Sequence, residues 1–131
     1  VNDWIDEVIT LGAGEIVLNS IDHDGTGNGF DYNLLDIISK KKIKIPVIVS
    51  GGAGKKEDIL YLFKNYKFNG VVLASIIHYK NFKQYLMKLN SSIGNKNFIL
   101  QDKLKNNIET ASISDIKEIL RKNLNEDFFI R

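Results

Sequence analysis

The chain is expected to adopt an α/β fold built of βα units on a parallel sheet, and three observations predict it. Short apolar runs alternate with amphipathic helical stretches three times along the chain. The runs are apolar nearly throughout and not at every second residue, as in strands covered on both faces. Each run ends in small or polar residues just before a helix: Asn19-Ser20-Ile21-Asp22, then Ser50-Gly51-Gly52, then Ala74-Ser75.

The elements follow in order. Trp4, Ile5, Val8 and Ile9 form a 3.6-residue stripe that stops at Leu11-Gly12, which predicts a first helix. "GEIVLNSID", residues 14–22, holds the first strand, and "HDGTGNG" after it is a glycine-rich loop. "FDYNLLDIISKKKIK" places Leu34, Leu35, Ile37 and Ile38 on one helical side, with lysines near the negative helix end. "IPVIVS" is the second strand, with Pro46 near its start where a missing donor is tolerated. A helix over "KKEDILYLFKNYKF", a third strand at 70–75 and a helix from His78 complete three βα units. Residues 91–112 lack clear periodicity, are rich in Asn and Lys, and predict a surface insertion. "SISDIKEILRKNL" then gives a last helix capped by Ser112 or Ser114, and "NEDFFIR" an extended tail. No linker divides the 131 residues, so a single domain is expected.

Composition narrows the function. The chain is 44% hydrophobic and 26% charged, with a formal net charge of +2. So small an excess points to no nucleic-acid or membrane partner. The absence of cysteine removes disulfides, thiolate nucleophiles and cysteine metal sites. The apolar runs are too short to span a bilayer, "VNDWIDEVITLG" is unlike a signal peptide, and a cytoplasmic location is expected. The chain starts without Met and reads from its first residues as the middle of a helix, as a processed chain or a piece of a longer one would.

In "IPVIVSGGAGKKEDI", Gly51, Gly52 and Gly54 stand where a strand meets a helix. Glycine weakens both elements, so a close approach to the backbone is the better explanation, although helix-entry turns also take glycine for steric reasons. In parallel α/β folds ligands gather where strands end and helices begin, and exposed amides at a helix start favour an anion. A phosphate is the natural occupant. Asp22 and Asp24 offer carboxylates for acid–base work or for holding a hydroxyl, or simply form an acidic turn. A calcium loop is rejected: Gly27 fits its sixth position, but Thr26 stands at the fifth and Asn33 at the twelfth. His23 and His78 have no second ligand at metal spacing, Ser50 and Ser75 lack a paired base, and neither a metal nor a cofactor is expected.

"GAGEIVLNSIDHDGTGNGFD", "PVIVSGGAGKKEDI" and "GVVLASIIHY", in this order and spacing, resemble the carboxyl half of the cyclase subunit of imidazole glycerol phosphate synthase, the HisF family. The match covers residues 1 to about 85, and "SISDIKEILRKN" resembles the family's final helix. The resemblance implies a (βα)8, or TIM, barrel of which these strands are the sixth, seventh and eighth. It implies a histidine-biosynthesis enzyme that takes ammonia from a glutaminase subunit (HisH-like) and cleaves and cyclises a phosphorylated nucleotide substrate. Gly51, Gly52, Ala74 and Ser75 would hold one terminal phosphate. Asn19 and Ser20 would line the same pocket, with Gly25 and Thr26 among the substrate-binding residues. Asp24 matches an aspartate at the mouth of the site, in a supporting catalytic role. His23 stands where arginine is usual and Asn19 where threonine is common, and "NSID" also occurs in a paralogous branch that serves amidation of surface sugars.

The family's general acid and base are aspartates at the ends of the first and fifth strands, outside the part resembled. A whole barrel of this kind takes ~250 residues. The expectation is that the 131-residue chain binds phosphate and does not cyclise substrate by itself. Open strand edges point to a homo-oligomer, and a non-catalytic phosphate-binding module is the reading from another functional class.

Overall fold

The computed structural model describes residues 1–88 and 107–124. Helix α1, Asn2–Thr10, leads into strand β1, Ile16–Asn19, helix α2, Tyr32–Ser39, strand β2, Val47–Ser50, helix α3, Lys56–Asn65, strand β3, Gly70–Val72, and helix α4, Ser75–Lys88. Helix α5, Ile113–Asn123, follows. All strand pairs are parallel and the sheet order is β1-β2-β3, so consecutive strands are spatial neighbours. Each strand is shorter than the apolar run that predicts it, because the flanking residues turn out into loops.

Register explains which residues lie in the core. Leu18 pairs with Val49 and Val49 with Val71, one row on the helix side of the sheet. There Leu18, Val47 and Val49 pack with Ile5, Phe30, Leu35, Ile38 and Leu62. A second cluster joins Ile59 and Ile76 to Ala111, Ile116 and Leu120 of the returning chain. The alternate rows, Val17-Ile48-Gly70 and Asn19-Ser50-Val72, face the other way. That face is open: Val17 is 56% and Val72 46% exposed. The expectation of strands covered on both faces therefore meets a sheet with helices on one face among the described residues.

Two helix ends show how local chemistry fixes the elements. Gly12, at φ +94°, donates to the Ile9 carbonyl at 3.0 Å and Ala13 to Val8 at 3.0 Å, closing α1 with a left-handed glycine. Ser112, not Ser114, caps α5: its hydroxyl accepts from the Asp115 amide at 3.1 Å, while Asp115 accepts from the Ser112 amide at 2.8 Å. Trp4 departs from its predicted stripe, being 62% exposed while Ile5 is buried. The expected insertion over 91–112 and the expected tail lie outside the described residues, except 107–112. That short stretch packs against the glycine loops.

Candidate functional site

The strand ends converge on one edge of the sheet. Asn19, Ser50 and Val72 form the last row of the register, and the loops that follow them surround a hollow of about 50 Å³. A water needs about 10–15 Å³ by the same measure, so a group of several heavy atoms, the size of a phosphoryl, has room. Asp24, Gly25, Gly51, Gly52, Ala74 and Ser75 all line it.

Backbone conformation sets the mouth. Gly51 and Gly52 both have positive φ, +90° and +103°. A Cβ on Gly52 would stand 2.1 Å from the Gly29 carbonyl oxygen, and the Gly29 amide donates to the Gly52 carbonyl at 2.9 Å. The loops after β1 and β2 are thus in backbone contact, and only glycine fits between them. Gly54 has a different task. A Cβ there would lie 2.0 Å from the Gly27 carbonyl oxygen, and its amide donates to the buried Asp58 carboxylate at 2.9 Å. Lys55 gives its amide to the same carboxylate at 3.0 Å. The third glycine of "SGGAG" therefore serves packing, and Asp58 holds the two amides that lead into α3, those of Gly54 and Lys55.

Helix α4 begins differently. Its first intrahelical bonds run from the Ile77 and His78 amides to the Ala74 carbonyl, at 3.2 and 2.8 Å. Ala74 holds the cap position and has no side-chain acceptor, whereas α2 is capped by Asp31 and α5 by Ser112, and at α3 the Asp58 carboxylate takes the Lys55 amide ahead of the helix. The amides of Ser75 and Ile76 precede the helical ladder, and both residues line the hollow. A helix start beside left-handed glycines offers several N–H dipoles to an oxyanion.

The remaining predicted residues lie beside the hollow and not in its lining. Asn19 ends β1, with Oδ1 3.0 Å from where a Gly51 Cβ would stand. Ser20 is buried, and its hydroxyl donates to Asp31 at 3.0 Å. Thr26 donates to the His23 carbonyl at 2.7 Å, and His23 Nδ1 lies 2.9 Å from the Gly29 carbonyl, bonds that hold the loop from within. Asp31 thus ties β1 to α2. The Leu34 amide, more than any other group, holds its carboxyl below the ordinary value of 3.8, burial opposing this and the Ser20 hydroxyl reinforcing it. A lowered folded value makes this clamp stabilising above pH 3.8 and progressively lost as pH falls below it. Thermal melts of the wild type should lose midpoint through that acid range, and Asp31→Asn should flatten the slope. An equally steep slope in the variant would remove Asp31 from the account.

Sequence reasoning missed Asp58, Asp31 and Ile108. Asp58 had a signal, a carboxylate three residues after the helix-entry Lys55. Ile108 had none, since it sits in an aperiodic stretch and reaches the hollow only through tertiary packing.

A family model described as "Histidine biosynthesis protein" matches residues 1–83. The chain is 53% identical over 78 residues to the imidazole glycerol phosphate synthase subunit HisF of Hydrogenobaculum sp. (strain Y04AAS1), covering 60% of this chain and 31% of that protein. It is 47% identical over 77 residues to the subunit of the same name from Streptococcus sanguinis (strain SK36), covering 59% and 30%. The likeness to that of Prochlorococcus marinus (strain AS9601) is 45% over 101 residues, covering 77% and 36%. The chain spans about a third of the length of the curated relatives it matches. Among the described residues no helix is long and apolar enough to cross a membrane, and no three His, Cys, Asp or Glu side chains gather as metal ligands.

Proposed function

The chain belongs to the histidine biosynthesis protein family, and on that footing we propose that it is the phosphate-binding part of the cyclase subunit of imidazole glycerol phosphate synthase. The observation that carries this reading is the start of α4, with alanine at its cap position, beside Gly51 and Gly52 around a hollow of phosphoryl size. All of it but Ile108 falls within the matched stretch. The substrate is a phosphorylated small molecule whose terminal phosphate accepts hydrogen bonds from the amides of Gly51, Gly52, Ser75 and Ile76. Asp24, on the rim, supports the chemistry at the other end of the substrate.

In this proposal β1, β2 and β3 are the sixth, seventh and eighth strands of a (βα)8 barrel, and residues 1–131 form one partial domain of it. The half-exposed Val17 and Val72 belong to the barrel's inner surface. Further strands of the same barrel cover that surface in the whole enzyme, and a second copy of the chain serves in their absence. The whole enzyme is a lyase that receives ammonia from a glutaminase subunit. Its principal acid and base lie on strands outside these 131 residues, so the chain alone binds without turnover.

Titration of the purified chain with glycerol 3-phosphate should give saturable binding that inorganic phosphate competes away. Binding that stays linear into the millimolar range, or that phosphate leaves untouched, would refute the proposal.

A further inference from the structure

Residues 107–111 lie beyond the stretch that the family model matches, yet they dock on two of the loops around the hollow and on the first turn of α4. Asn107 bonds through its side chain to Asn28, in the loop after β1. The Glu109 amide donates to the Gly54 carbonyl at 2.7 Å, in the loop after β2. The Ala111 amide donates to the Ile76 carbonyl at 3.1 Å, in the first turn of α4, and Ala111 is itself buried. Two backbone bonds and a buried anchor fix the segment, and between them Ile108 turns onto the hollow. Its Cγ1 would lie 2.7 Å from a Cβ on Gly27, so it also closes the space that this glycine leaves open.

We propose that Ile108 is a specificity-determining residue of the phosphate site: an apolar wall that favours a phosphate ester, with carbon next to the phosphoryl group, over inorganic phosphate. This rests on the reading of the hollow as a phosphate site. The isoleucine side chain has no donor and no acceptor, so it adds nothing to the grip on phosphoryl oxygens. Its methyl and methylene groups gain by covering an alkyl group. Val72, Leu73 and Ile76 supply further apolar lining, and Gly51, Gly52 and Ser75 line the same hollow. The hollow thus brings apolar side chains and glycine backbone together, as a phosphomonoester brings together carbon and phosphoryl oxygens.

The test compares the 131-residue wild type with Ile108→Ala and Ile108→Val, titrating each with glycerol 3-phosphate and with inorganic phosphate. Loss of about one methylene's worth of contact with the ester's carbon in Ile108→Ala should lower ester affinity about fourfold. Phosphate affinity should change by less than about twofold, and Ile108→Val should keep most of the ester preference. If the alanine chain folds poorly, Ile108→Thr reads the same preference with the branched shape retained. An equal loss for both ligands would make Ile108 structural, and no loss for either would remove it from the site; either overturns this inference alone. A wild type that binds neither ligand overturns both this inference and the phosphate site beneath it.

Discussion

Gly52→Ala is expected to abolish phosphate binding and to destabilise the chain by about 3–4 kcal/mol. Two costs add. The residue sits at φ +103°, a conformation that costs an L-residue about 1–3 kcal/mol. The new methyl carbon would also stand 2.1 Å from the Gly29 carbonyl oxygen, a backbone atom that cannot swing aside. Relief requires the loops after β1 and β2 to part, which breaks the 2.9 Å bond from the Gly29 amide to the Gly52 carbonyl. Parting the loops also moves the amides of residues 51 and 52 away from the start of α4. Urea unfolding and a phosphate titration of the same sample check both effects. Gly14→Ala is the control: its methyl would meet nothing within 4 Å, and its stability should stay within about 0.5 kcal/mol of wild type. A Gly52→Ala chain with native stability and native phosphate affinity would show that the two loops do not meet as described.

Phe30→Ala should cost about 3–5 kcal/mol, a large part of the 5–15 kcal/mol typical of a whole domain. Phe30 is 1% exposed and packs in the cluster that holds Leu35, Ile38, Val47 and Val49. It stands between Gly29, which meets the Gly52 loop, and Asp31, which caps α2. Truncation therefore opens a cavity under the loop that forms one wall of the hollow, and phosphate affinity should fall with stability. The urea midpoint should drop while the slope of unfolding free energy against urea is kept. Ile37→Ala, on the half-exposed side of the same helix, should cost less than about 1 kcal/mol. Equal losses at the two positions would contradict the packing of α2 described above.

The order of strands and helices was legible in the sequence because hydrophobic runs and glycine stops are local signals. "SGGAG" announced a close approach of backbone to something, and it meant two things at once. Gly51 and Gly52 open on the hollow, while Gly54 answers to Gly27 and Asp58 inside the protein. Ser20 illustrates the reverse ambiguity. A serine at a strand end fits a ligand site, but its hydroxyl turns to Asp31, eleven residues on, and no periodicity reports such a pairing. The unbroken apolar runs Ile16-Val17-Leu18 and Val47-Ile48-Val49 predicted cover on both faces. One face is open among the described residues, and a run of valines looks the same whichever chain segment covers it. Ile108 was invisible for the plainest reason: its stretch has neither pattern nor motif, and its position follows from where Glu109 and Ala111 make their bonds.

The most direct measurement is a two-dimensional amide NMR titration of the isotope-labelled chain with phosphate. The grip on a phosphoryl group by backbone N–H groups predicts the largest shifts at Gly51, Gly52, Ser75 and Ile76, with Lys55 and Gly54 little moved because Asp58 already holds them. Shifts scattered over the lysine-rich surface, or centred on the start of α2 or α5, would place the anion elsewhere and contradict the account.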